Sequence, residues 1–214
     1  MQLFWHGLSS IRIESKSMNI EGTLLTDPFP NESRLRLPRT LAPDMLVLSH
    51  QDRSRFNLEG VNGTPFMISN PGEYEVKGIF AQGIQDPTAD TETKRPIVFR
   101  FDVEGMAIAF LGQLKRPLTP FEVEALGDID ILALPVGGGN VLDAKNASDT
   151  ISTVEPRIVI PLYYDVPGMK EKLGSVDAFC KQLGVCTRQD MTKLKIARKD
   201  LPSENMVVMV LERS

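Results

Sequence analysis

Short runs of apolar residues, each ending in small or polar residues, constrain the fold of this chain more than any other feature. Five such runs of four to five residues lie at 23–26, 45–48, 107–111, 131–135 and 158–161. Continuous apolar runs of this length are typical of strands that are buried on both faces and need covering layers on each side. We therefore predict a layered α/β protein, in which functional residues gather where strands end in loops.

The other periodic segments are predicted to form antiparallel strands and helices. Alternating polar and apolar residues are typical of half-exposed strands, and they occur at 10–14, 97–101 and 193–196. Helical segments are fewer, and they lie at 119–126, 143–154 and 175–183. The first begins with a favourable Thr-Pro pair, and the last ends before Gly184, a residue type that commonly terminates helices.

No linker divides the chain. Strands dominate its first half, and helices alternate with strands in its second half. Residues 1–214 are therefore predicted to form a single domain, which at this length can bury a sizeable core. The segment 86–95, rich in Asp, Thr and Pro, is predicted to be an exposed loop.

The composition argues against several classes of protein. A hydrophobic fraction of 42% and a charged fraction of 24% are ordinary for a soluble globular chain. The net charge of −4 argues against nonspecific binding of nucleic acid. No apolar run approaches the roughly 18–20 residues needed to cross a bilayer, and the first residues lack the pattern of a signal peptide. The chain is predicted to be cytoplasmic, with neither nucleic acid nor a membrane as a partner.

Two local clusters invite functional interpretations that we do not favour. Cys180 and Cys186 lie close together and could pair, but without export signals they are predicted to be free thiols. A basic cluster near the C-terminus is predicted to be a solvated strand face, because no aromatic residues are interleaved with it. Its members are Lys193, Lys195, Arg198 and Lys199.

The segment after the second apolar run carries the residues on which a functional prediction depends. The strand predicted at 45–48 ends at His50 and opens into a polar turn that contains Asp52, Ser54 and Arg55. Side chains at such a strand end are typical of a functional site in layered folds.

Together with six other stretches, this segment resembles the metallo-β-lactamase fold, in the branch of small bacterial hydrolases similar to L-ascorbate-6-phosphate lactonase. The stretches follow the family's order and spacing, and they lie at 5–13, 25–29, 69–78, 110–113, 131–139 and 160–164. The resemblance implies an α/β (α+β) protein, a four-layer αβ/βα sandwich with two mixed β-sheets packed face to face and helices outside.

The resemblance also implies a site for two zinc or manganese ions, but most of its ligand positions carry other residues. The first metal would take two histidines from a His-x-His-x-Asp-His motif and a third from a later loop. Of these, His50 is present, Asp52 replaces the second, and the loop 86–95 contains no histidine.

The positions of the second metal differ further. It would take the Asp and the last His of the motif, here Ser54 and Arg55, and a C-terminal histidine, here Tyr163. The Asp that would bridge both metals is Gln113. The resemblance therefore implies six degenerate positions, and only the first keeps the family's residue: His50, Asp52, Ser54, Arg55, Gln113 and Tyr163.

The available ligands argue against a dinuclear centre. Catalytic zinc sites take three protein ligands and leave a position open for water, yet the only histidines are His6 and His50. Arg55 is a permanent cation that repels a divalent ion. Without a metal, nothing lowers the pKa of a bound water toward 7. We therefore predict no metal and no cofactor.

Four residues at or beside these positions can still react or bind a cation: Asp27, His50, Asp52 and Gln113. One hypothesis is a single site for a hard cation such as manganese or magnesium. We favour a second hypothesis, in which Arg55 or Arg53 replaces the charge of the metal and pairs with Asp27 and Asp52. The arginine then prevents buried carboxylates from standing alone.

A catalytic role for His50 is a further alternative. Asp27 or Asp52 would orient the imidazole, and Ser49 or Ser54 would be the nucleophile. Because serine and aspartate are common residues, we favour a structural histidine at the strand end. A glycine run at 137–139 is likewise interpreted as a turn into the following helix rather than as an anion site.

Two functions remain open. The first is a pseudoenzyme, a non-catalytic binding, regulatory or assembly protein, for which a homo-oligomer through an apolar face is one expectation. The second is a hydrolase of a small anionic ester or lactone that uses a noncanonical mononuclear site at His50 and Asp52, or no metal at all. The first hypothesis has no catalytic residues, and for the second the catalytic candidates are His50, Asp52 and Asp27.

Overall fold

The structure, a computed structural model, describes residues 1–17, 19–88, 96–184, 186–188 and 191–214. Within these ranges the strands form two mixed sheets. The first sheet contains β1 (Gln2–Gly7), β2 (Ser10–Ser17), β3 (Ile20–Thr26), β4 (Met45–Val47), β5 (Phe66–Ile68) and β13 (Lys193–Lys195). Its order is β13-β1-β2-β3-β4-β5, antiparallel up to β3 and parallel from β3 to β5.

The second sheet is larger. Its strands are β6 (Gly72–Val76), β7 (Ile79–Ile84), β8 (Val98–Val103), β9 (Met106–Phe110), β10 (Ile131–Pro135), β11 (Ile158–Leu162), β12 (Thr187–Arg188) and β14 (Val207–Val210). The order is β12-β14-β11-β10-β9-β8-β7-β6, antiparallel from β6 to β9 and parallel beyond β9. Every residue of β9, β10 and β11 is buried, as their continuous apolar sequences predict.

The described residues contain three α-helices, and all three were predicted. They are α1 (Pro120–Leu126), α2 (Ala144–Val154) and α3 (Val176–Leu183). Thr119, Asp143 and Ser175 cap their N-termini, each accepting a backbone N–H of the first turn. The last helix ends at Gly184, which has the left-handed conformation expected of a terminating glycine. The predicted pair of mixed sheets is confirmed.

The alternation of side chains along β3 and β4 produces two separate cores. Leu24 and Met45 point into the large core, whereas Leu25 and Leu46 point into a smaller one on the other face. Leu41 and Phe56 complete the smaller core from connecting segments. In the described part of the chain, coil and 3-10 turns cover this face, because closely spaced prolines disfavour an α-helix between β3 and β4. They are Pro28, Pro30, Pro38 and Pro43.

The structure corrects one prediction about the cysteines. Cys180 and Cys186 form a disulfide that joins α3 to the segment after it, so the prediction of free thiols is wrong. The two residues are only six positions apart, and Gly184 turns the chain back between them. This local reversal brings the sulfurs together whatever the compartment.

The predictions for exposed segments have mixed outcomes. The basic cluster defined above is exposed, as predicted. Of the predicted loop 86–95, residues 89–95 lie outside the described residues. Asp86 is buried rather than exposed, and it accepts hydrogen bonds of 2.7 Å from the backbone and the hydroxyl of Thr88. No helix in the described ranges has the length and apolar character to span a membrane.

A buried ion pair anchors α1 and supports the first prediction. The carboxylate of Glu122 is fully buried, and it accepts two hydrogen bonds from Arg116, at 2.7 and 2.8 Å. Replacing Arg116 by alanine leaves this carboxylate without its cation, so we expect a loss of about 3 kcal/mol in the free energy of unfolding by urea. Lys16→Ala, which removes the exposed pair with Glu21, is the control and is expected to leave the urea midpoint almost unchanged. Equal effects of both variants would contradict the prediction.

Candidate functional site

A cleft of about 470 Å³ lies where strand ends of the two sheets approach each other. The first sheet contributes the turn between β1 and β2 and the segments that follow β3 and β4. The second contributes the residues that follow β9 and β11. The lining residues are Leu8, Ser9, Phe29, Pro30, Glu32, Ser33, Arg55, Gln113, Tyr163, Met169, Lys170 and Glu171. Parallel strands of both sheets end here, which is where layered folds place their sites.

Asp27 lies behind the cleft in full burial. Its two carboxylate oxygens accept the backbone N–H and the hydroxyl of Ser49, at 2.7 and 2.5 Å. Burial raises the pKa of Asp27 to about 6, although the hydrogen bonds from Ser49 and Ser9 and the charge of Arg55 oppose that rise. Asp27 also has a left-handed backbone, with a φ of 36°. The chain turns sharply there as it leaves β3.

Gly112 packs directly against this pair of residues. A Cβ atom at Gly112 would lie 2.1 Å from the Cβ atom of Ser49 and 3.3 Å from a carboxylate oxygen of Asp27. Its φ of 53° is also in the left-handed region. Only glycine allows the segment after β9 to approach the segment after β4 so closely.

The turn after β4 is organised by Asp52 and His50. The carboxylate of Asp52 accepts the backbone N–H and the hydroxyl of Ser54, at 3.3 and 2.7 Å, and so caps the 3-10 turn Arg53–Arg55. The Nδ1 atom of His50 accepts the backbone N–H of Asp52 at 3.0 Å. These contacts of His50 and Asp52 fix the start of the turn and therefore the position of Arg55.

Arg55 extends into the cleft and donates a hydrogen bond of 2.6 Å to the side-chain oxygen of Gln113. Arg53, from the same turn, points elsewhere and donates to the hydroxyl of Ser69. The predicted hydrogen-bonded pair between an arginine and Asp27 is therefore wrong, since the Asp27 carboxylate is bound by Ser49. Arg55 acts on Asp27 through its charge alone, in the direction that lowers the pKa of that carboxyl group.

Tyr163 follows β11 and forms one wall of the cleft. Its hydroxyl lies 3.5 Å from a carboxylate oxygen of Glu171. Burial and the charge of Glu171 raise the pKa of Tyr163 to about 12, so the hydroxyl stays protonated at neutral pH. Tyr164 turns away and packs its ring against Trp5, with 4.6 Å between the ring centroids. Of the two tyrosines, only Tyr163 occupies the cleft.

A backbone hydrogen bond joins the two walls. The N–H of Tyr163 donates to the carbonyl of Leu8 at 3.0 Å. Both residues have left-handed backbones, with φ values of 51° and 48°. On the side of the second sheet, Gly137 packs against the carbonyl of Tyr163, where a Cβ atom would lie at 2.3 Å. The glycine run 137–139 lies between β10 and α2, and Gly138 and Gly139 have positive φ values of 73° and 68°, as expected for a turn into that helix.

The structure divides the predicted site residues into two groups. Arg55, Gln113 and Tyr163 line the cleft, and Asp27 lies directly behind it. The remaining positions, His50, Asp52 and Ser54, belong to the capped turn and are not among the lining residues.

Several residues of the cleft were not predicted from the sequence, among them Ser9, Glu32, Lys170 and Glu171. Ser9 belongs to a stretch that carries the resemblance, and it bonds to the carboxylate of Asp27. The other three lie on connecting segments without periodicity. For Lys170 and Glu171, the one signal in the sequence is that they follow the strand end that carries Tyr163.

The donor chemistry of the cleft does not fit the two metal ions that the resemblance implies. In the ranges that the structure describes, no three His, Cys, Asp or Glu side chains come together as a group able to hold a metal ion. At two of the expected ligand positions the cleft presents a guanidinium and an amide that are bonded to each other. A guanidinium has no lone pair for a metal and is always charged.

Two mixed sheets whose strand ends meet at this cleft define the metallo-β-lactamase fold. Residues 2–163 match the beta-lactamase superfamily domain, and the chain belongs to that family. A solved structure described as a Zn-dependent hydrolase of the metallo-β-lactamase superfamily, from Thermotoga maritima, is 30% identical. The alignment covers 99% of this chain and 100% of that one, with a TM-score of 0.78.

Curated relatives are more distant. A UPF0173 metal-dependent hydrolase of Salinibacter ruber is 27% identical, over 88% of this chain and 96% of the relative. One from Lysinibacillus sphaericus is 23% identical, over 77% of this chain and 86% of the relative. The metallo hydrolase Igni18 of Ignicoccus hospitalis, 16% identical with a TM-score of 0.62 over 86% of this chain and 90% of that chain, shares the fold.

Proposed function

We propose that this chain is a metallo-β-lactamase-fold protein that has lost the dinuclear metal centre, a pseudoenzyme that acts as a binding, regulatory or assembly protein. The observation that carries the proposal is the hydrogen bond of 2.6 Å between Arg55 and Gln113, which joins two positions where the family's pattern has metal ligands. The cleft remains open beside this pair, with a volume of about 470 Å³. A protein that keeps the cleft without the ligands is suited to binding rather than to metal-dependent hydrolysis.

Electrostatics supports the proposal. A divalent ion about 5 Å from a guanidinium is repelled by roughly 7 kcal/mol at an effective dielectric constant of about 20. The carboxylates that would have to offset this cost are already engaged, since Asp27 accepts from Ser49 and Asp52 accepts from Ser54. Arg55 instead supplies a positive charge close to Asp27 without a metal.

The second candidate is a hydrolase of a small anionic ester or lactone with a noncanonical mononuclear site at His50 and Asp52. The relatives named metal-dependent hydrolases favour it, as does the Thermotoga maritima structure that matches the whole chain. The resemblance to the lactonase branch also supports this candidate. Against it, the Nδ1 atom of His50 accepts the N–H of Asp52. The hydrogen of the neutral imidazole is then on Nε2, which has no lone pair for a metal in that tautomer.

Metal content separates the two candidates. We expect near-zero zinc, manganese and iron per chain in protein purified without chelator, measured by elemental mass spectrometry, and no uptake after soaking with excess zinc or manganese. His50→Ala is then expected to cost only modest stability. The proposal would be refuted, and the mononuclear hydrolase favoured, by about one metal per chain that is lost in His50→Ala but kept in His6→Asn.

The assembly role depends on a surface that is not part of the cleft. Phe66, on the edge strand β5, is 52% exposed and lies 6.1 Å from the ring of Tyr74 on the edge strand β6. These neighbouring sheet edges are the apolar surface that would support the proposed homo-oligomer. The oligomer stays a prediction that sedimentation of the purified chain can test.

A further inference from the structure

The cleft contains charges of both signs that are not paired with each other. Arg55 and Lys170 are its cations, and Glu32 and Glu171 are its anions. Within the described ranges, none of these four side chains takes part in an ion pair. The formal charges of the cleft therefore sum to zero, while both signs are present and unpaired.

Arg55 is the cation best placed to hold a ligand. Its guanidinium carries five N–H donors in a fixed plane, and among the described residues its side chain makes a single hydrogen bond, the one to Gln113. That bond and the capped turn below it hold the group at the cleft. The remaining donors suit a planar carboxylate, which arginine binds in a bidentate manner.

Glu171 is the anion of the cleft whose side chain has a defined neighbour. It is half-buried, and its carboxylate lies 3.5 Å from the hydroxyl of Tyr163. The charges of Glu171 and Arg55 act on the pKa of that hydroxyl in opposite directions. Tyr163 therefore lies within electrostatic range of a positive and a negative side chain, both of which line the same cleft.

The charges of the cleft favour a ligand that carries both signs. A ligand with only anionic groups would meet the carboxylates of Glu171 and Glu32, which line the same cleft as Arg55. A ligand with only a cationic group would meet Arg55 and leave its donors unused. The volume of about 470 Å³ is in the lower part of the range of small-molecule sites, about 300–1,000 Å³. A small molecule with one group of each sign meets all of these conditions.

We propose that the cleft binds a small zwitterion of the amino-acid or dipeptide class, with its carboxylate on Arg55, its ammonium group on Glu171 and the hydroxyl of Tyr163 between them. The inference rests on the proposed function, because it requires that the space beside Arg55 is used for a ligand instead of a metal. No bond is made or broken in the ligand. The protein binds it and releases it unchanged.

Isothermal titration calorimetry with a dipeptide such as Ala-Leu is the test, and its N-acetylated and C-amidated forms are the matched ligands. We expect saturable binding of the free dipeptide and at least tenfold weaker binding of each blocked form, since each has lost one of the two charges. Equal binding of the blocked and free forms would overturn the inference, and so would the absence of binding by dipeptides and by free amino acids.

Two pairs of variants assign the contacts. Arg55→Met is expected to abolish binding, whereas Arg53→Met, a change in the same turn whose side chain points to Ser69, is expected to leave it unchanged. Glu171→Gln is expected to weaken binding of the free dipeptide about tenfold without affecting that of the N-acetylated form. Glu59→Gln, at an exposed position outside the cleft, is its control. If Arg55→Met does not fold, Glu171→Gln alone decides the outcome.

The failure of this inference is distinguishable from the failure of the proposed function. A metal-free protein that binds no zwitterion would refute the inference and leave the loss of the metal centre standing. A dipeptide that binds and is then cleaved, detected by mass spectrometry of the recovered ligand, would refute the pseudoenzyme and leave the binding site standing.

Discussion

Replacing Gly112 by alanine is expected to destabilise the folded protein by about 4 kcal/mol, the largest effect of any single substitution considered for this chain. The added methyl group would lie 2.1 Å from the Cβ atom of Ser49, which is buried and bonded to Asp27. Neither partner can move without breaking the hydrogen bonds that hold this buried carboxylate. The backbone would have to shift instead. Urea unfolding followed by circular dichroism measures the loss.

Gly63→Ala is the matched control for Gly112→Ala. Gly63 also has a positive φ, of 80°, but nothing lies within 4 Å of the Cβ atom that alanine would add. The Gly63→Ala variant is therefore expected to lose only the free energy of backbone strain, about 1 kcal/mol. If the two variants lost the same free energy of unfolding, the close approach of the strand ends would not be the cause.

The second large effect concerns the pH dependence of the free energy of unfolding. Two buried groups, Asp27 and His6, contribute to it with opposite signs. Asp27 has its pKa raised from 3.8 to about 6, so the folded state holds its proton more tightly than the unfolded state does. Its contribution to stability is greatest below pH 4 and is lost as the pH rises toward 6. A shift of about two units corresponds to roughly 3 kcal/mol. Asp27→Asn removes this decline.

His6 contributes with the opposite sign. Burial lowers its pKa from 6.5 to about 4, with the nearby charges of Arg12 and Arg213 adding to the effect. The folded state therefore holds the neutral imidazole, and stability rises as the pH increases from 4 to 6.5, again by roughly 3 kcal/mol. Because the two windows overlap, we expect these two contributions to cancel nearly completely in the unmodified protein.

Urea unfolding between pH 4 and 7 tests this cancellation. The free energy of unfolding of Asp27→Asn is expected to rise across this range by roughly 3 kcal/mol relative to the unmodified protein. For His6→Asn it is expected to fall by a similar amount. Parallel curves for all three proteins would show that neither group has a perturbed pKa in the folded state.

The fold was predictable because burial leaves a local pattern in the sequence. The apolar runs at 131–135 and 158–161 coincide with strands buried on both faces, and the helix ends at Thr119 and Gly184 follow from backbone requirements. Each depends on a few neighbouring residues, so a single sequence contains the information. The covering of the outer face of the first sheet by coil and 3-10 turns was less evident, since it depends on which segments fold back over that face.

The site was predictable in its location but not in its contacts. The ordered stretches of the resemblance place Arg55, Gln113 and Tyr163 together, and these three residues line one cleft. Their hydrogen-bond partners could not be predicted from the sequence. Arg55 had several acceptors of similar chemistry within reach, and it bonds Gln113, which is 58 positions away. Only the distances in the folded chain select among such acceptors.

A backbone hydrogen bond, from the N–H of Tyr163 to the carbonyl of Leu8, joins the two walls of the cleft. The side chains that line the cleft supply its functional groups. The spacing of the two walls is set by main-chain atoms, with Gly137 packed behind one of them. This backbone link does not depend on the side chains of Arg55, Gln113 and Tyr163, although the hydrogen bond between Arg55 and Gln113 is a second link between the sheets. The molecule is in this respect a ready scaffold, into which a designer could introduce new recognition chemistry by changing three positions.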